Sequence, residues 1–440
     1  MSTLHGYNNS NMTIITSTAA TFYDTTTTIA MTSNEPNKYA YCGKGLDDFH
    51  TSYSDIHGYV ALVVCIFGCI ANSLNIIVLT RHEMRGPTNA ILTGLAIADF
   101  LVMIDYIPYA YYIVTPFTIE QRFTYGWAWF VMFHALFGQM LHTISIWLTV
   151  TLAIWRYIAV AHPQHNRIWS NMRTTMIAIT SSYMVCPLLV IPLYFTFQIS
   201  TTNVQVYANG TLAKINTSFE NIITATTTMP IEEITLRNIT LYKIRNVPNQ
   251  ETLMQVNFWV YSIIIKLVPC IALTILSLRL IHALMEAKRR RKQLCNSSNL
   301  KTIVNGKVVE TSTRKNSKLL DKERQTDRTT KMLLAVLLLF LITEFPQGIL
   351  GLLSAVIGNL FFQNCYQKLG DVMDILALVN SAINFILYCV MSRQFRSTFS
   401  LLFRPKILDR WLPVAQNEED NDRTQMGKDN NGHVTQVTQV

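Results

Sequence analysis

The stretch from Phe130 to Pro163, FVMFHALFGQMLHTISIWLTVTLAIWRYIAVAHP, decides how the rest of the chain is read. From Phe130 to Trp155 it holds no aspartate, glutamate, lysine or arginine, and its first formal charge is Arg156, inside Trp155-Arg156-Tyr157. A run of that length is enough to cross a hydrocarbon layer as a helix. His142, Ser145, Thr149, Leu152 and Arg156 follow one another at steps of three or four residues, so on a helix they share one stripe. Lipid offers such groups no partners. The stripe must therefore face other helices, which puts this helix at the centre of a bundle.

Composition agrees with that reading. The chain has 440 residues, of which 50% are hydrophobic and only 14% charged, the balance of an integral membrane protein rather than a set of soluble domains. A net charge of +9 raises the question of nucleic acid, but the placement of the charge excludes it. Between Lys288 and Lys331 there are 14 Lys/Arg and 4 Asp/Glu, whereas Met1 to His57 holds 2 basic and 5 acidic residues. Basic loops beside apolar spans lie on the cytoplasmic side, so the N-terminus is expected outside and the chain in the plasma membrane. Sequons at Asn8, Asn11, Asn209, Asn216 and Asn238 all fall in segments that this rule places outside, which makes them glycosylation candidates.

Seven spans follow in order. They are Gly58 to Thr80, Asn89 to Val114, the central helix, Thr174 to Gln198, Gln255 to Leu284, Met332 to Ile357 and Gly370 to Met391. A polar loop without cysteine, Ile199 to Leu253, separates the fourth from the fifth. The expected organisation is an extracellular tail over residues 1–57, a bundle over 58–392, an amphipathic helix over 393–403 and a cytoplasmic tail over 404–440. In the amphipathic segment Phe395, Phe399, Leu402 and Phe403 alternate with Arg393 and Arg396, which suits a helix lying on the inner bilayer surface. Met1 to Ser33 lacks an apolar core of signal-peptide type, so the first span is expected to act as the signal anchor. The terminal Thr438-Gln439-Val440 matches the pattern that adds as a strand to a PDZ-type groove, or is an accident of three residues. The fold class is thus all-α, a seven-transmembrane bundle with a short eighth helix.

Ionisable groups inside the spans are functional candidates, because each costs several kcal/mol unless paired or hydrated. Asp99, Ser145, Asn380, Ser381 and Asn384 supply one carboxylate with hydroxyl and amide oxygens, a set suited to a small hard cation such as sodium or to a water network. Enzymatic readings fail on the residues. His82-Glu83 begins like a zinc-protease helix, but Gly86 stands where the second histidine is needed. A retinal pump needs a lysine inside the seventh span, and none is there. A transporter would want paired carboxylates at mid-membrane or an internal repeat, and neither is found.

Several motifs carry a family resemblance. Ala71-Asn72, LAIAD ending at Asp99, Trp155-Arg156-Tyr157, Glu344-Phe345-Pro346 and NFILY from Asn384 to Tyr388 stand where rhodopsin-like G-protein-coupled receptors have their span motifs. RGPTNAILTGLAIAD, WRYIAVAHP, TEFPQG and FRPKILDRWLPVAQ more closely resemble the arthropod myosuppressin receptors, related to FMRFamide and sex-peptide receptors. The resemblance runs from about His57 to Gln416, leaving out the long outside loop and much of the inside one. It implies a receptor for an amidated peptide ending in Leu-Arg-Phe-NH2, coupled mainly to inhibitory G proteins. Another RFamide or a sex-peptide-like ligand is the alternative. It also implies that the Asp99 set is a sodium pocket, that no other cofactor is needed, and that arrestin is among the partners. Arg156, Tyr157, Pro346 and Tyr388 would serve activation and G-protein coupling, with Pro346 giving the sixth span a place to bend.

Departures from the family pattern sharpen the expectations. The usual disulfide from the third helix to the second outside loop cannot form, because no cysteine lies between Cys69 and Cys186 or in the long loop. Cys42 and Cys365 are the two cysteines expected outside, and they pair, or remain free thiols, or link two chains. Trp155 replaces the acid that holds Arg156, which suggests raised basal activity unless Asp327 or another residue provides a lock. Glu344 replaces an aromatic residue at the cavity floor, with His142 and Lys266 as expected neighbours. It either receives the arginine of the peptide or makes a permanent pair with Lys266. Asp105 and Asp374 lie nearer the outside and suit a cationic ligand, and His134 and Tyr109 are expected beside them.

Overall fold

The computed structural model describes residues 41–206, 236–248, 251–298, 303–304, 307–308 and 313–403. The sequons at Asn8, Asn11, Asn209 and Asn216, the tail over 404–440 with Thr438–Val440, and the side chain of Asp327 lie outside the described residues.

Among the described residues, seven helices are long and apolar enough to cross a membrane. They are α1 (Gly43–Leu79), α2 (Pro87–Val114), α3 (Tyr125–Ala161), α4 (Met172–Tyr194), α5, α6 (Thr313–Ile357) and α7 (Gly370–Met391). The fifth, α5, is assembled from Glu251–Trp259, a π-helical turn Val260–Leu267 and Val268–Ser298. An eighth helix, α8 (Arg393–Phe403), follows α7 after a single extended residue, Ser392. The hydroxyl of Ser392 accepts from the Phe395 backbone N–H at 3.2 Å and so caps α8.

Local chemistry starts the other helices in the same way. Thr124 caps α3 through the Trp127 N–H, and Asn171 caps α4 through the Thr174 N–H at 2.9 Å. Pro87 opens α2, where its missing N–H removes no helical bond. In α5 the π turn comes just before Pro269, which cannot donate to the preceding turn; widened turns of this kind are where a helix re-aims a side chain. The side chain re-aimed here is Lys266, which is 1% exposed.

The helix read as central is central. α3 touches α2, α4, α5 and α6, while α1, α2 and α7 pack on one side and α5 and α6 on the other. Ile144, Leu148 and Leu152 of α3 form a core with Ile91, Leu92 and Leu95 of α2. Small residues allow two close approaches. A Cβ on Gly68 would sit 2.8 Å from the Met103 sulfur, and one on Gly351 would sit 2.7 Å from the Ser262 hydroxyl, so α1–α2 and α5–α6 both depend on glycine.

Two details go beyond the expectations. First, α1 begins at Gly43, so the N-terminal part of the chain is helical well before residue 58 and the boundary at 57 lies inside a helix. The charges at Asp47, Asp48 and Asp55 interrupt the apolar run without interrupting the helix, which is why hydropathy missed the first four turns. Second, the bundle is all-α as expected, and short strands lie in its loops. The loop between α4 and α5 contains an antiparallel hairpin, β1 (Phe197–Val206) with β2 (Arg237–Asn246), and a two-residue pair Ile303–Val304 with Lys307–Val308 joins α5 to α6. Ile, Val and Thr are frequent in both long strands, and β-branched side chains favour that conformation.

Candidate ligand and ion sites

At the end of the bundle that carries the hairpin, other contacts take over the work of the absent disulfide. The Tyr242 N–H of β2 donates to the Phe123 carbonyl at 2.9 Å, Arg237 pairs with Glu120, and Lys243 lies over the Phe123 ring at 5.2 Å. Val206, Ile239 and Leu241 are buried against Ile119 and Phe123. The hairpin is thereby fixed to the segment leading into α3. Asn238, the one of the five candidate glycosylation sites among the described residues, is exposed on β2.

The opposite rim is fixed covalently. Cys42 and Cys365 form a disulfide with a Cα separation of 5.7 Å, tying the start of α1 to the segment that precedes α7. Lys368 pairs with Asp47 at 2.9 Å, and His50 approaches Asp371 at 3.9 Å. Further down, the His57 ring meets the Tyr106 hydroxyl at 3.1 Å. The first turns of α1 thus form part of the cavity rim rather than a loose tail.

Between the two rims is a narrow cleft, partly open to solvent, walled by Asp105, His134, Gln139, His142, Gln347 and Asp374 among others. Its polar groups are two carboxylates, two imidazoles, two carboxamides and the hydroxyls of Tyr106 and Ser381, and no lysine or arginine lines it among the described residues. Asp105 holds the His134 Nδ1 at 2.7 Å, and Tyr109 stacks on the His134 ring at 4.1 Å. Tyr109 therefore supports the wall from behind instead of lining it.

Lys266 and Glu344 lie one layer deeper. The Lys266 ammonium donates to Glu344 Oε2 at 2.6 Å and to Gln347 Oε1 at 2.8 Å, and His142 Nε2 meets the same Glu344 oxygen at 3.1 Å. Glu344 is 0% exposed. Neither Lys266 nor Glu344 is on the cleft surface, and the residues of this network that line it are His142 and Gln347. Sequence reading singled out the two charges and passed over Gln347. Its signal was its place one residue after Pro346, on the turn that carries Glu344.

Asp99, 1% exposed, anchors a second site that shares Ser381 with the cleft. Its carboxylate accepts from Ser145 Oγ at 3.0 Å and Asn384 Nδ2 at 3.1 Å, and Ser381 also bonds to it. Asn72 holds the Ser381 carbonyl at 3.1 Å, which locks α1 to α7 at this level. Asn380 is not among the Asp99 partners, so four of the five residues grouped by sequence come together. One carboxylate with two hydroxyls and no lysine or arginine partner is an oxygen-donor set that fits a small hard cation.

At the α8 end, Trp155 donates through its indole N–H to the Thr175 hydroxyl at 2.8 Å, fixing α3 to α4. Arg156 has no ion pair among the described residues. The Tyr157 ring meets His162 edge-on at 5.9 Å. Tyr388 is buried against Phe395 of α8, with ring centroids 5.7 Å apart. Pro346 lies within α6, two residues beyond Glu344, at the level where the Lys266 pair joins α5 to α6.

A family model described as the serpentine type 7TM GPCR chemoreceptor Srw matches residues 59–406. The chain belongs to this family of G-protein-coupled receptors. It is 30% identical over 369 residues to the G-protein coupled receptor dmsr-1 of Caenorhabditis elegans, covering 80% of this chain and 69% of that one. It is 27% identical over 386 residues to the sex peptide receptor of Drosophila melanogaster, with 85% and 78% covered. It is 23% identical over 360 residues to the Drosophila FMRFamide receptor, with 81% and 55% covered. The receptor is therefore a multi-pass membrane protein and not an enzyme, and the cleft at the hairpin end is its candidate ligand site.

Proposed function

We propose that this receptor is activated at the plasma membrane by an amidated peptide ending in Leu-Arg-Phe-NH2, of the myosuppressin type, and signals mainly through inhibitory G proteins. The hairpin end faces outside and the α8 end faces the cytoplasm, with arrestin as a further partner and Asn238 and the other sequons glycosylated. The observation that carries the reading is the cleft wall. Asp105 and Asp374 are carboxylates on a surface that holds no lysine or arginine among the described residues, which suits a guanidinium and repels an anion. Tyr106 and His134 give an aromatic lining for a phenylalanine side chain, with Tyr109 stacked behind His134. The relatives named for FMRFamide and for sex peptide support a peptide ligand and keep another RFamide or a sex-peptide-like ligand as the second reading.

The peptide would favour a bundle in which α6 bends at Pro346 and opens the α8 end around Arg156, Tyr157 and Tyr388 to a G protein. The Asp99 site would hold sodium in the inactive arrangement, with Ser145 and Ser381 as further oxygen ligands. Nucleotide exchange on inhibitory G proteins, measured in membranes against myosuppressin, FMRFamide and sex-peptide-like ligands, tests the assignment. A response confined to ligands without a C-terminal amide would overturn it.

A further inference from the structure

The floor of the cleft presents a hydrogen-bond donor beside an acceptor, and the buried ion pair fixes which is which. Gln347 lines the cleft while its Oε1 accepts from the Lys266 ammonium at 2.8 Å. An ammonium can only donate, so the amide oxygen is committed to Lys266 and the Nε2 group, with two N–H, is turned away from it. One of these meets the Tyr366 hydroxyl, which leaves one donor for the cleft.

His142 is the complement. Its Nε2 faces Glu344 Oε2 at 3.1 Å, and a carboxylate accepts, so Nε2 carries the hydrogen. With the hydrogen on Nε2, the neutral tautomer of the ring offers Nδ1 as an acceptor. No hydrogen bond to Nδ1 is made among the described residues, and His142 lines the cleft.

We propose that Gln347 and His142 together read the terminal carboxamide of the ligand, Gln347 donating to its carbonyl and His142 accepting from its N–H. A primary carboxamide carries both an acceptor and a donor and satisfies both partners. A carboxylate offers two acceptors, leaves His142 Nδ1 facing a lone pair, and brings a negative charge onto a wall that already holds Asp105 and Asp374. This inference rests on the peptide reading above and assigns the residues that enforce amidation. Lys266 acts through Gln347 as a positioning residue, because it sets the orientation of the amide.

The test is competition binding on the full-length receptor in membranes, with Phe-Leu-Arg-Phe-NH2 and the same peptide as the free acid. The wild type prefers the amide. His142→Phe removes the acceptor and should weaken the amidated peptide about tenfold while leaving the free acid no weaker, so that the preference shrinks by about the same factor. His142→Leu removes the same acceptor with a smaller side chain and should show the same selective loss even if the phenylalanine variant fails to fold. Gln347→Leu removes a donor that either terminus can use, and Asp105→Asn a carboxylate that meets the arginine, so each should weaken both peptides. If both His142 variants weaken the two peptides equally, or neither, the assignment is wrong while the peptide reading stands. If the wild type binds neither peptide, both fail together.

Discussion

Asp99 and Glu344 are carboxylates buried to nearly the same degree, at 1% and 0% exposure, and the bundle holds them in opposite ways. Glu344 has an internal cation, Lys266, at 2.6 Å, and an imidazole at 3.1 Å. Asp99 has only hydroxyl and amide partners from α3 and α7. A buried carboxylate is expensive unless it is balanced, so the two sites differ in where the balance comes from. At Glu344 the protein supplies it and the site is closed. At Asp99 the partners are neutral, and the proposed sodium ion would supply it.

The largest effect should follow from opening the closed site. Lys266→Met leaves Glu344 buried without its cation and should destabilise the receptor by about 3–5 kcal/mol. Adding Glu344→Gln to that variant should recover much of the loss, as read by thermal unfolding in detergent. A double variant as unstable as the single one would show that the two charges do not act as a pair.

Removing the rim staple comes next. Cys42→Ser should lower stability by about 2–4 kcal/mol and make Cys365 reactive toward a thiol reagent under non-reducing conditions. Unchanged reactivity at Cys365 would count against the link.

At the open site the effect on folding should be small and the effect on ions complete. Asp99→Asn keeps an acceptor for Ser145 and should change stability by only about 1 kcal/mol. Sodium should alter agonist affinity in the wild type and have no effect in this variant. Sodium sensitivity that survives the substitution would place the cation elsewhere.

The smallest change concerns Arg156, which has no ion pair among the described residues. Trp155→Asp supplies an acid beside it and should lower basal nucleotide exchange, at the expense of the indole bond to Thr175, worth about 1 kcal/mol. Equal basal activity in the two proteins would show that Arg156 does not need that neighbour.

Much of this contrast was legible in the sequence, for physical reasons. Polar residues in an apolar span have nowhere to go but inward, so the stripe on the central helix marked His142, Ser145 and Arg156 as facing other helices, and the family resemblance set Ser145 beside Asp99 and His142 beside Glu344. What the sequence concealed depends on geometry that no period encodes. The π turn at Val260–Leu267 puts Lys266 behind the cleft wall, so the two charges are screened from the cleft and the neutral Gln347 is not. Asn380 was grouped with Asp99 by its position beside Ser381, yet neighbouring positions on a helix point about 100° apart, and only Ser381 faces the carboxylate. The hairpin was hidden by a polar, threonine-rich composition, which reads equally as loop or as strand until a partner strand is found.

The central claim is that the acidic cleft at the hairpin end receives an amidated, arginine-containing peptide. Its most direct measurement is GTPγS loading in membranes bearing the wild-type receptor or Asp105→Asn, titrated with Phe-Leu-Arg-Phe-NH2. The account predicts saturable loading in the wild type and a dose-response shifted to about tenfold higher peptide in the variant, the loss of one charged hydrogen-bond partner. A wild-type receptor that reaches the surface and stays silent to amidated peptides, or a variant that responds identically, would contradict it.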